Sequence, residues 1–291
     1  MMDFQPLTRE ALPLLRKVFQ ENTSLLCDRT AGGVMMWRKR FCTEYFFDGE
    51  TLYLRSSFGN DGFSYALPLG NTEKGIERLR DYCAAQGEFL QFSGVTEEEQ
   101  ALLLTFFPDK TATAQRDWFD YIYSTQSLMT FSGKKLSAQR NHRNFFLKNY
   151  PDWSFEPITR ENLFCAKDYF TAYYKASEKS FLHAEEEAEA VNEIFRHWED
   201  YGFCGGLLFA EGEPIALSLC EIVGNTVYVH IEKANRLYRG AYPMIVSEML
   251  RHFATDEVLY VNREEDEGDV GLRYSKESYC PIRLLKKYTV I

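Results

Sequence analysis

One stretch of the sequence, TVYVHIEKANRLYRGAYPMIVSEMLRH at residues 226–252, limits the possible fold more than any other. Val227, Val229 and Ile231 alternate with polar or aromatic residues, which is the side-chain period of a β-strand. After a short polar segment, apolar residues recur at helical spacing as far as Phe253. The stretch therefore predicts a strand that leads through a basic turn into an amphipathic helix.

The turn between this strand and helix carries Arg236, Arg239, Gly240 and Ala241. A helix N-terminus offers unbonded N–H groups and the positive end of the helix dipole, so it attracts anions. Glycine lets the backbone approach a ligand, and arginines add charged donors. We therefore expect the turn to bind the phosphate or pyrophosphate of a group donor. An ordinary surface turn remains the alternative, because the spacing matches neither a P-loop nor a G-x-G-x-x-G turn.

The composition narrows the classes of protein that this chain can represent. It has 291 residues and 45% hydrophobic content, enough for one large domain or two of ordinary size. The 33 basic and 43 acidic residues give a net charge of −10. An acidic chain is a poor general nucleic-acid binder, so any contact with a polyanion must be local.

The cysteines and the hydropathy of the sequence indicate the cellular compartment that is expected for the protein. The seven cysteines are odd in number and include no C-x-x-C pair, which favours free thiols in a reducing cytoplasm. We find no signal-peptide pattern and no integral membrane segment, since no apolar run approaches the ~20 residues that span a bilayer. The five histidines lack ligand-type partners at helical spacing, so no metal site is expected.

Helix and strand patterns divide the chain into two units, residues 1–125 and 126–291. The first unit predicts the order α-β-β-β-α-β-α, and the second predicts β-α-α-β-β-β, the basic turn, and then α-β-α-β with a last strand at residues 282–290. The expected fold class is therefore α/β, with mixed sheets flanked by helices.

A second unusual stretch, SGKKLSAQRNHRNFFLKNYP at residues 132–151, carries five cations without an acid. A solvated helix whose charges balance acids elsewhere explains such a pattern. The alternative is a binding face for an anionic substrate, such as a lipid head group or the backbone of an RNA. On this alternative, the substrate-binding candidates are Arg140, His142 and Arg143.

This basic stretch, together with YVNREEDEGDVGLRYSKESYCP at residues 260–281, resembles the lysylphosphatidylglycerol synthetase C-terminal domain family. The likeness covers about residues 25–288, and the basic turn after the third strand of a meander is similar to the order of the GNAT acyltransferase fold. The resemblance implies two tandem GNAT-like units, of which the first has no counterpart of the basic turn and no bound cofactor.

The resemblance also implies transfer of an acyl or aminoacyl group to an amine or hydroxyl. The donor would be an acyl-CoA thioester or an aminoacyl-tRNA. Family members that modify phosphatidylglycerol carry an integral membrane half that this chain lacks. The acceptor is therefore left open between a lipid head group and a small molecule, with tRNA as a possible partner.

Two strands of the second unit would bring polar side chains together if they are neighbours, as the GNAT order requires. Tyr228, His230 and Glu232 would share one face of the first strand, and Asn262 and Glu264 one face of the second. Attack by an amine needs a base, for which we expect Glu232 or Glu264. His230 is a further candidate, although a lone strand histidine is more often a packed one.

The remaining chemistry is expected close to these strands. Tyr279 or Tyr274 would supply the acid for the leaving group, and backbone N–H groups near Ile231, beside the donor, would stabilise the oxyanion. The other substrate-binding candidates are polar residues of these strands or of the segment that follows them: His230, Asn262, Arg263, Asp266, Arg273 and Lys276. Arg273 and Lys276 share a helix face and would hold an anionic acceptor, whereas Asp266 would hold an ammonium or cap the helix.

A hypothesis of a different class is a non-catalytic GNAT-like module that senses a small anionic ligand. Arg239 supports it, because this residue stands where the acyltransferase loop has its first glycine.

Overall fold

The structure, a computed structural model, describes residues 2–57, 62–176 and 183–291. Two compact units are present. The first comprises the chain up to Asp120 together with Leu285–Ile291, and the second comprises Tyr121–Leu284. The sequence placed the division at 125/126 and assigned the whole C-terminus to the second unit. The difference at the C-terminus arises because the last residues form a strand of the first sheet.

In the part of the chain that the structure describes, the first unit contains the predicted order α-β-β-β-α-β-α together with three elements that were not predicted: a two-residue strand at its start, a second helix after the first, and a strand after the last helix. Its helices are α1 (Leu12–Glu21), α2 (Ala31–Trp37), α3 (Thr72–Gln86) and α4 (Glu97–Phe106). Its strands are β1 (Gln5–Pro6), β2 (Glu44–Phe47), β3 (Leu52–Ser57), β4 (Phe63–Tyr65), β5 (Phe92–Val95) and β6 (Ala112–Ala114).

The second unit follows with seven strands and seven helices within the described residues. The strands are β7 (Asp120–Ser124), β8 (Ser154–Pro157), β9 (Cys204–Ala210), β10 (Glu213–Val223), β11 (Thr226–Ala234), β12 (Tyr260–Asn262) and β13 (Arg283–Leu285). The helices are α5 (Thr125–Thr130), α6 (Ser137–Asn149), α7 (Leu163–Ala176), α8 (Ala184–Arg196), α9 (Trp198–Tyr201), α10 (Ala241–Phe253) and α11 (Val270–Ser278). The chain ends with β14 (Tyr288–Val290).

Each unit is built on a mixed sheet, as predicted. The first sheet has the order β1-β2-β3-β4-β5-β14-β6, and the second has the order β13-β7-β12-β11-β10-β9-β8. The single strand predicted at residues 282–290 is therefore two strands, β13 in the second sheet and β14 in the first. β14 lies between β5 and β6 and is antiparallel to both.

Helix ends follow local sequence signals. Thr96 and Glu99 form a reciprocal capping box at the start of α4, which satisfies two N–H groups that the helix leaves unbonded. Asp269 caps α11 by accepting a 2.7 Å hydrogen bond from the N–H of Leu272. Gly240 precedes α10 with φ of +95°, a conformation that glycine adopts without steric cost.

α10 packs its apolar stripe against the second sheet, as the sequence predicted. The buried residues of this stripe include Ala241, Met244, Ile245, Met249 and Leu250. Burial of these side chains holds the N-terminus of α10 at the carboxyl end of β11, where the basic loop lies.

Candidate active site

The two strands expected to be neighbours do lie side by side. β11 and β12 pair in parallel, residues 226–228 with Tyr260–Asn262. Beyond this ladder β11 continues to Ala234 beside β10, whereas β12 ends at Asn262. The parallel pair therefore opens at its carboxyl end, and polar side chains meet there.

A β-bulge at His230 divides the polar residues of β11 between the two faces of the sheet. Consecutive residues of β10 pair with Ile231 and Val229, so His230 is the extra residue. A bulge shifts the alternation of side chains by one position. Glu232 therefore lies on the same face as Val229, and the prediction that His230 and Glu232 share a face is wrong.

On one face, His230 is clamped between two carboxylates. Its Nδ1 lies 2.8 Å from Glu264 Oε1 and its Nε2 lies 3.1 Å from Glu221 Oε2, and its ring stacks on Phe203 at 5.1 Å. Burial alone would lower the pKa of His230, but the two carboxylates outweigh it and raise the pKa to about 10. His230 is therefore an imidazolium at neutral pH and cannot serve as the base.

On the opposite face, Arg263 and Glu232 form a buried ion pair. Arg263 Nη2 donates to Glu232 Oε1 at 2.7 Å, and both side chains are 9% exposed. The guanidinium lies 4.5 Å from the ring centroid of Tyr279 and 5.8 Å from that of Tyr123. Arg263 Nη1 is buried and has no hydrogen-bond partner among the described residues. We call Glu232, Arg263 and Tyr279 the Arg263 cluster.

Glu232 and Arg263 of this cluster line a cavity of about 10 Å³ between the sheet and α10, about the size that one water needs. Burial raises the pKa of Glu232, although the charge of Arg263 opposes this effect. Burial also raises the pKa of Tyr279, so the phenol keeps its proton at neutral pH. The cluster therefore combines a carboxylate, an unbonded guanidinium N–H and a protonated phenol.

The loop before α10 uses several of its own N–H groups. The N–H of Leu237 donates to the Asn235 side chain at 3.0 Å. The N–H of Tyr238 donates to the Asn235 carbonyl at 3.1 Å, and that of Ala241 donates to the Tyr238 carbonyl at 3.0 Å. Pro243, in the first turn of the helix, has no N–H. A pyrophosphate would therefore meet fewer backbone donors here than the sequence indicated.

Gly240 and the arginines of the loop lie against α6. A Cβ on Gly240 would lie 2.2 Å from the His142 carbonyl oxygen, so glycine permits this close approach. Arg239 Nε lies 3.4 Å from His142 Nδ1, and its guanidinium lies 4.5 Å from the ring centroid of Phe145. Arg236 is exposed. The loop thus presents two surface cations, one of them packed on α6.

The cations of the predicted basic stretch, residues 132–151, are divided between internal ones and exposed ones. Arg140 donates to the carbonyls of Phe131 and Gly133 at 2.6 and 2.8 Å, so it supports the preceding loop. Burial lowers the pKa of Arg143, whose Nε is buried and has no hydrogen-bond partner in the described part of the chain. The exposed cations are Lys134, Lys135 and Lys148.

The segment after β12 is held by its own ion pairs. Asp266 accepts from Arg273 at 2.6 and 2.9 Å and from the Tyr121 hydroxyl at 2.6 Å. Burial alone would raise the pKa of Asp266, but these bonds lower it to about 2. Lys276 donates to the carbonyl of Glu265. Arg273 and Lys276 therefore stabilise this segment, instead of projecting towards an acceptor as the sequence suggested.

The segment after β12 carries backbone strain, and the two candidate acids that follow it differ in burial. Glu264 and Glu267 have φ of +57° and +48°, a conformation that side chains with a Cβ rarely adopt and that often occurs at functional sites. Tyr274 is 77% exposed on α11, whereas Tyr279 is 4% exposed beside Arg263. The geometry therefore favours Tyr279 over Tyr274 as the acid.

Two residues of these clusters were missed at the level of sequence. Glu221 is buried within the otherwise apolar second half of β10, and a lone carboxylate in such a strand is the signal that indicates a buried partner. Tyr123 belongs to the aromatic strand β7, where the pattern shows burial but gives no sign of a nearby guanidinium.

Comparison with known proteins gives the geometry a family context. Residues 24–291 match the family described as phosphatidylglycerol lysyltransferase, C-terminal. The chain belongs to this family. The resemblance seen in residues 132–151 and 260–281 is thereby confirmed.

Several solved structures share the fold of this chain across most of their length. A conserved protein of unknown function from Bacteroides thetaiotaomicron is 28% identical, with a TM-score of 0.92 over 100% of this chain and 99% of that one. The C-terminal domain assigned to a lysylphosphatidylglycerol synthetase of Agrobacterium fabrum is 12% identical, with a TM-score of 0.65 over 97% and 92% of the two chains. L-PGS from Bacillus licheniformis is 15% identical, with a TM-score of 0.64 over 96% and 90%.

A curated relative, an uncharacterized protein of Mycoplasmoides gallisepticum, is 30% identical over 176 residues. The match covers 59% of this chain and 55% of that protein, so it spans about half the length of the relative. The protein has the predicted fold of two tandem GNAT-like units. Among the described residues, no helix is both long and apolar enough to cross a membrane.

Proposed function

We propose that this chain is an aminoacyltransferase that moves an aminoacyl group from its ester on tRNA to an amine or hydroxyl acceptor. The observation that carries the proposal is the Arg263 cluster at the open end of β11 and β12. There a buried carboxylate, an unbonded guanidinium N–H and a buried phenol lie together. The family description, which names a lysyl transfer to phosphatidylglycerol, supports lysine as the first aminoacyl group to test.

In the proposed reaction, the acceptor nitrogen or oxygen bonds to the ester carbonyl carbon and its proton passes to Glu232. Burial raises the pKa of Glu232, and the charge of Arg263 opposes this effect; a carboxylate with a raised pKa is the stronger base. Arg263 Nη1 donates to the carbonyl oxygen as negative charge develops on it. The bond to the ribose oxygen then breaks, and Tyr279 protonates that oxygen.

The other carboxylate considered as the base, Glu264, is less suited to this step. It lies on the opposite face of the sheet from the unbonded N–H of Arg263, and its carboxylate accepts a hydrogen bond from the His230 imidazolium. His230, Glu221 and Glu264 instead hold β10, β11 and the segment after β12 in register.

The basic loop supports a tRNA ester over acyl-CoA as the donor. Its N–H groups are partly used within the loop, which weakens a compact pyrophosphate site. Its exposed arginines, Arg236 and Arg239, suit contacts to an extended phosphate backbone. The exposed lysines of the basic stretch belong to the same unit and add positive charge. Acyl-CoA remains the second candidate donor, because the loop still lies at a helix N-terminus.

The catalytic test uses tRNA charged with labelled lysine, with vesicles of phosphatidylglycerol or a small amine as the acceptor. We expect labelled product from the wild type and a loss of roughly 100-fold or more for Glu232→Gln, which keeps the shape and removes the base. Tyr274→Phe is the matched control and should retain activity, since this side chain is exposed on α11. Full activity of Glu232→Gln would remove Glu232 from the mechanism.

The donor test measures binding separately from chemistry. We measure the binding of tRNA to the protein at several salt concentrations. Binding that depends on salt and weakens in Arg236→Ala and Arg239→Ala supports the tRNA donor. Thermal stabilisation by coenzyme A, about 2.7 kcal/mol at a hundredfold excess over Kd, would favour the thioester instead. Binding of an anion without turnover of any donor would favour the non-catalytic module.

A further inference from the structure

A second group of reactive side chains lies in the first unit, whereas the residues of the chemistry proposed above belong to the second. Cys27 Sγ and Lys287 Nζ are 3.0 Å apart, and both residues are 7% exposed. Lys287 Nζ also lies 2.8 Å from Asp120 Oδ1 and 2.7 Å from Asp28 Oδ2. These four residues form what we call the Cys27 cluster.

The two reacting atoms are held in contact by independent anchors. The backbone N–H of Cys27 donates to Asp120 Oδ2 at 2.8 Å, and Cys27 Sγ lies 3.3 Å from Asp120 Oδ1. Lys287 directly precedes β14, which is paired on both sides within the first sheet. Because both atoms belong to ordered segments, a reaction between them needs almost no further ordering of the chain.

The cluster also has the features of a metal site, but a lysine occupies its centre. Ligand atoms of Cys27, Asp28 and Asp120 all lie within 4.8 Å of one another. The Lys287 ammonium is within 3.0 Å of an atom of each, so it already supplies the positive charge that a cation would bring. The contact that stands out chemically is therefore the one between thiol and amine.

We propose that Cys27 and Lys287 are a modification site, at which oxidation by a peroxide forms a covalent sulfur–nitrogen cross-link. In the first step the thiol is oxidised to a sulfenic acid, and the peroxide is reduced to water. In the second step Lys287 Nζ attacks the sulfur, the S–O bond breaks, and the hydroxyl leaves as water. The ammonium releases one proton to Asp120 and a second to the departing hydroxyl.

The surroundings of Cys27 favour this product over others. Its burial excludes large oxidants and other proteins, whereas the side chain of Asp28, which contacts the Lys287 ammonium, is half exposed, so the cluster lies close to the protein surface. The amine lies against the sulfur before oxidation, so it can intercept the sulfenic acid before a second peroxide does. The cross-link would tie residue 27 to residue 287 and pin the C-terminal strand β14 to the first unit.

In the test, the full chain is treated with hydrogen peroxide and the excess peroxide is removed. The protein is then digested, and linked peptides are sought by mass spectrometry. We expect a peptide pair that joins Cys27 to Lys287 with the loss of two hydrogens, and its disappearance after treatment with dithiothreitol. We also expect a higher temperature of unfolding for the oxidised protein, because the link constrains the unfolded chain.

Two variants and one internal control make the result specific. Lys287→Arg keeps the cation beside both aspartates but removes the amine, and Cys27→Ser removes the thiol, so neither should form the link. Cys83 is buried in the same unit and should show no link to lysine. Conversion of Cys27 to sulfinic acid without any linked peptide would overturn the proposal. So would an inert Cys27 at peroxide levels that oxidise the exposed Cys42.

Discussion

Gly240→Ala tests whether the loop before α10 is packed against α6 as the structure shows. Gly240 has φ of +95°, and a Cβ there would lie 2.2 Å from the His142 carbonyl oxygen and 2.9 Å from Phe146 Cβ. Real Cβ atoms do not approach this closely, so α6 or the start of α10 would have to move. The substitution therefore combines a backbone penalty with a packing penalty.

The two penalties can be separated by a matched control. The positive φ costs roughly 1–2 kcal/mol for a residue with a Cβ, and forced displacement of packed elements adds roughly 1–3 kcal/mol. Gly212 has φ of +80° in the same unit, and nothing lies within 4 Å of the position that a Cβ would take there. Gly212→Ala should therefore show the backbone penalty alone.

The assay is the free energy of unfolding in urea for wild type, Gly240→Ala and Gly212→Ala, compared at equal slope. We expect Gly240→Ala to lose roughly 1–3 kcal/mol more than Gly212→Ala. Equal losses in the two variants would refute the close approach of α6 to the loop. Gly240→Ala should also weaken retention of tRNA, since the displaced loop carries Arg236 and Arg239.

Three further predictions follow from the pKa shifts and from the two tyrosines. The pKa of His230 rises from 6.5 to about 10 on folding. The charged imidazole therefore stabilises the fold fully below pH 6.5, and this contribution declines as the pH rises to about 10. When the free energy of unfolding is measured against pH, the decline should be absent in His230→Asn. The pKa of Asp266 falls from 3.8 to about 2 on folding. Asp266→Asn should therefore lower the free energy of unfolding by about 2 kcal/mol at neutral pH, and by less as the pH falls from 3.8 to about 2. A loss that stays the same at acid pH would contradict the ion pair with Arg273. Tyr279→Phe should lower aminoacyl transfer by roughly 100-fold if the phenol is the acid, while Tyr274→Phe should not, and equal rates for the two would exclude that role.

Local patterns determined much of this fold. The alternation in residues 226–232 and the helical stripe that follows correctly predicted β11, the loop and α10. Gly240 was expected to let the backbone approach a ligand, and in the structure it permits a close approach to α6. The strand, loop and helix could be predicted because hydrophobic periodicity acts over a few neighbouring residues. The family likeness in residues 132–151 and 260–281 supplied the tandem arrangement that local patterns do not contain.

The tertiary structure decided which side chains act together. One extra residue at His230 moved Glu232 to the other face of the sheet, where it pairs with Arg263. The ion pair of Asp266 with Arg273 and the return of β14 to the first sheet likewise depend on contacts that the sequence pattern does not show. A bulge, a buried ion pair and a strand partner leave almost no local trace, because each is selected by the packing of the whole unit. Local sequence patterns therefore determined most of the helices and strands of this protein, and the three-dimensional packing determined the contents of its candidate site.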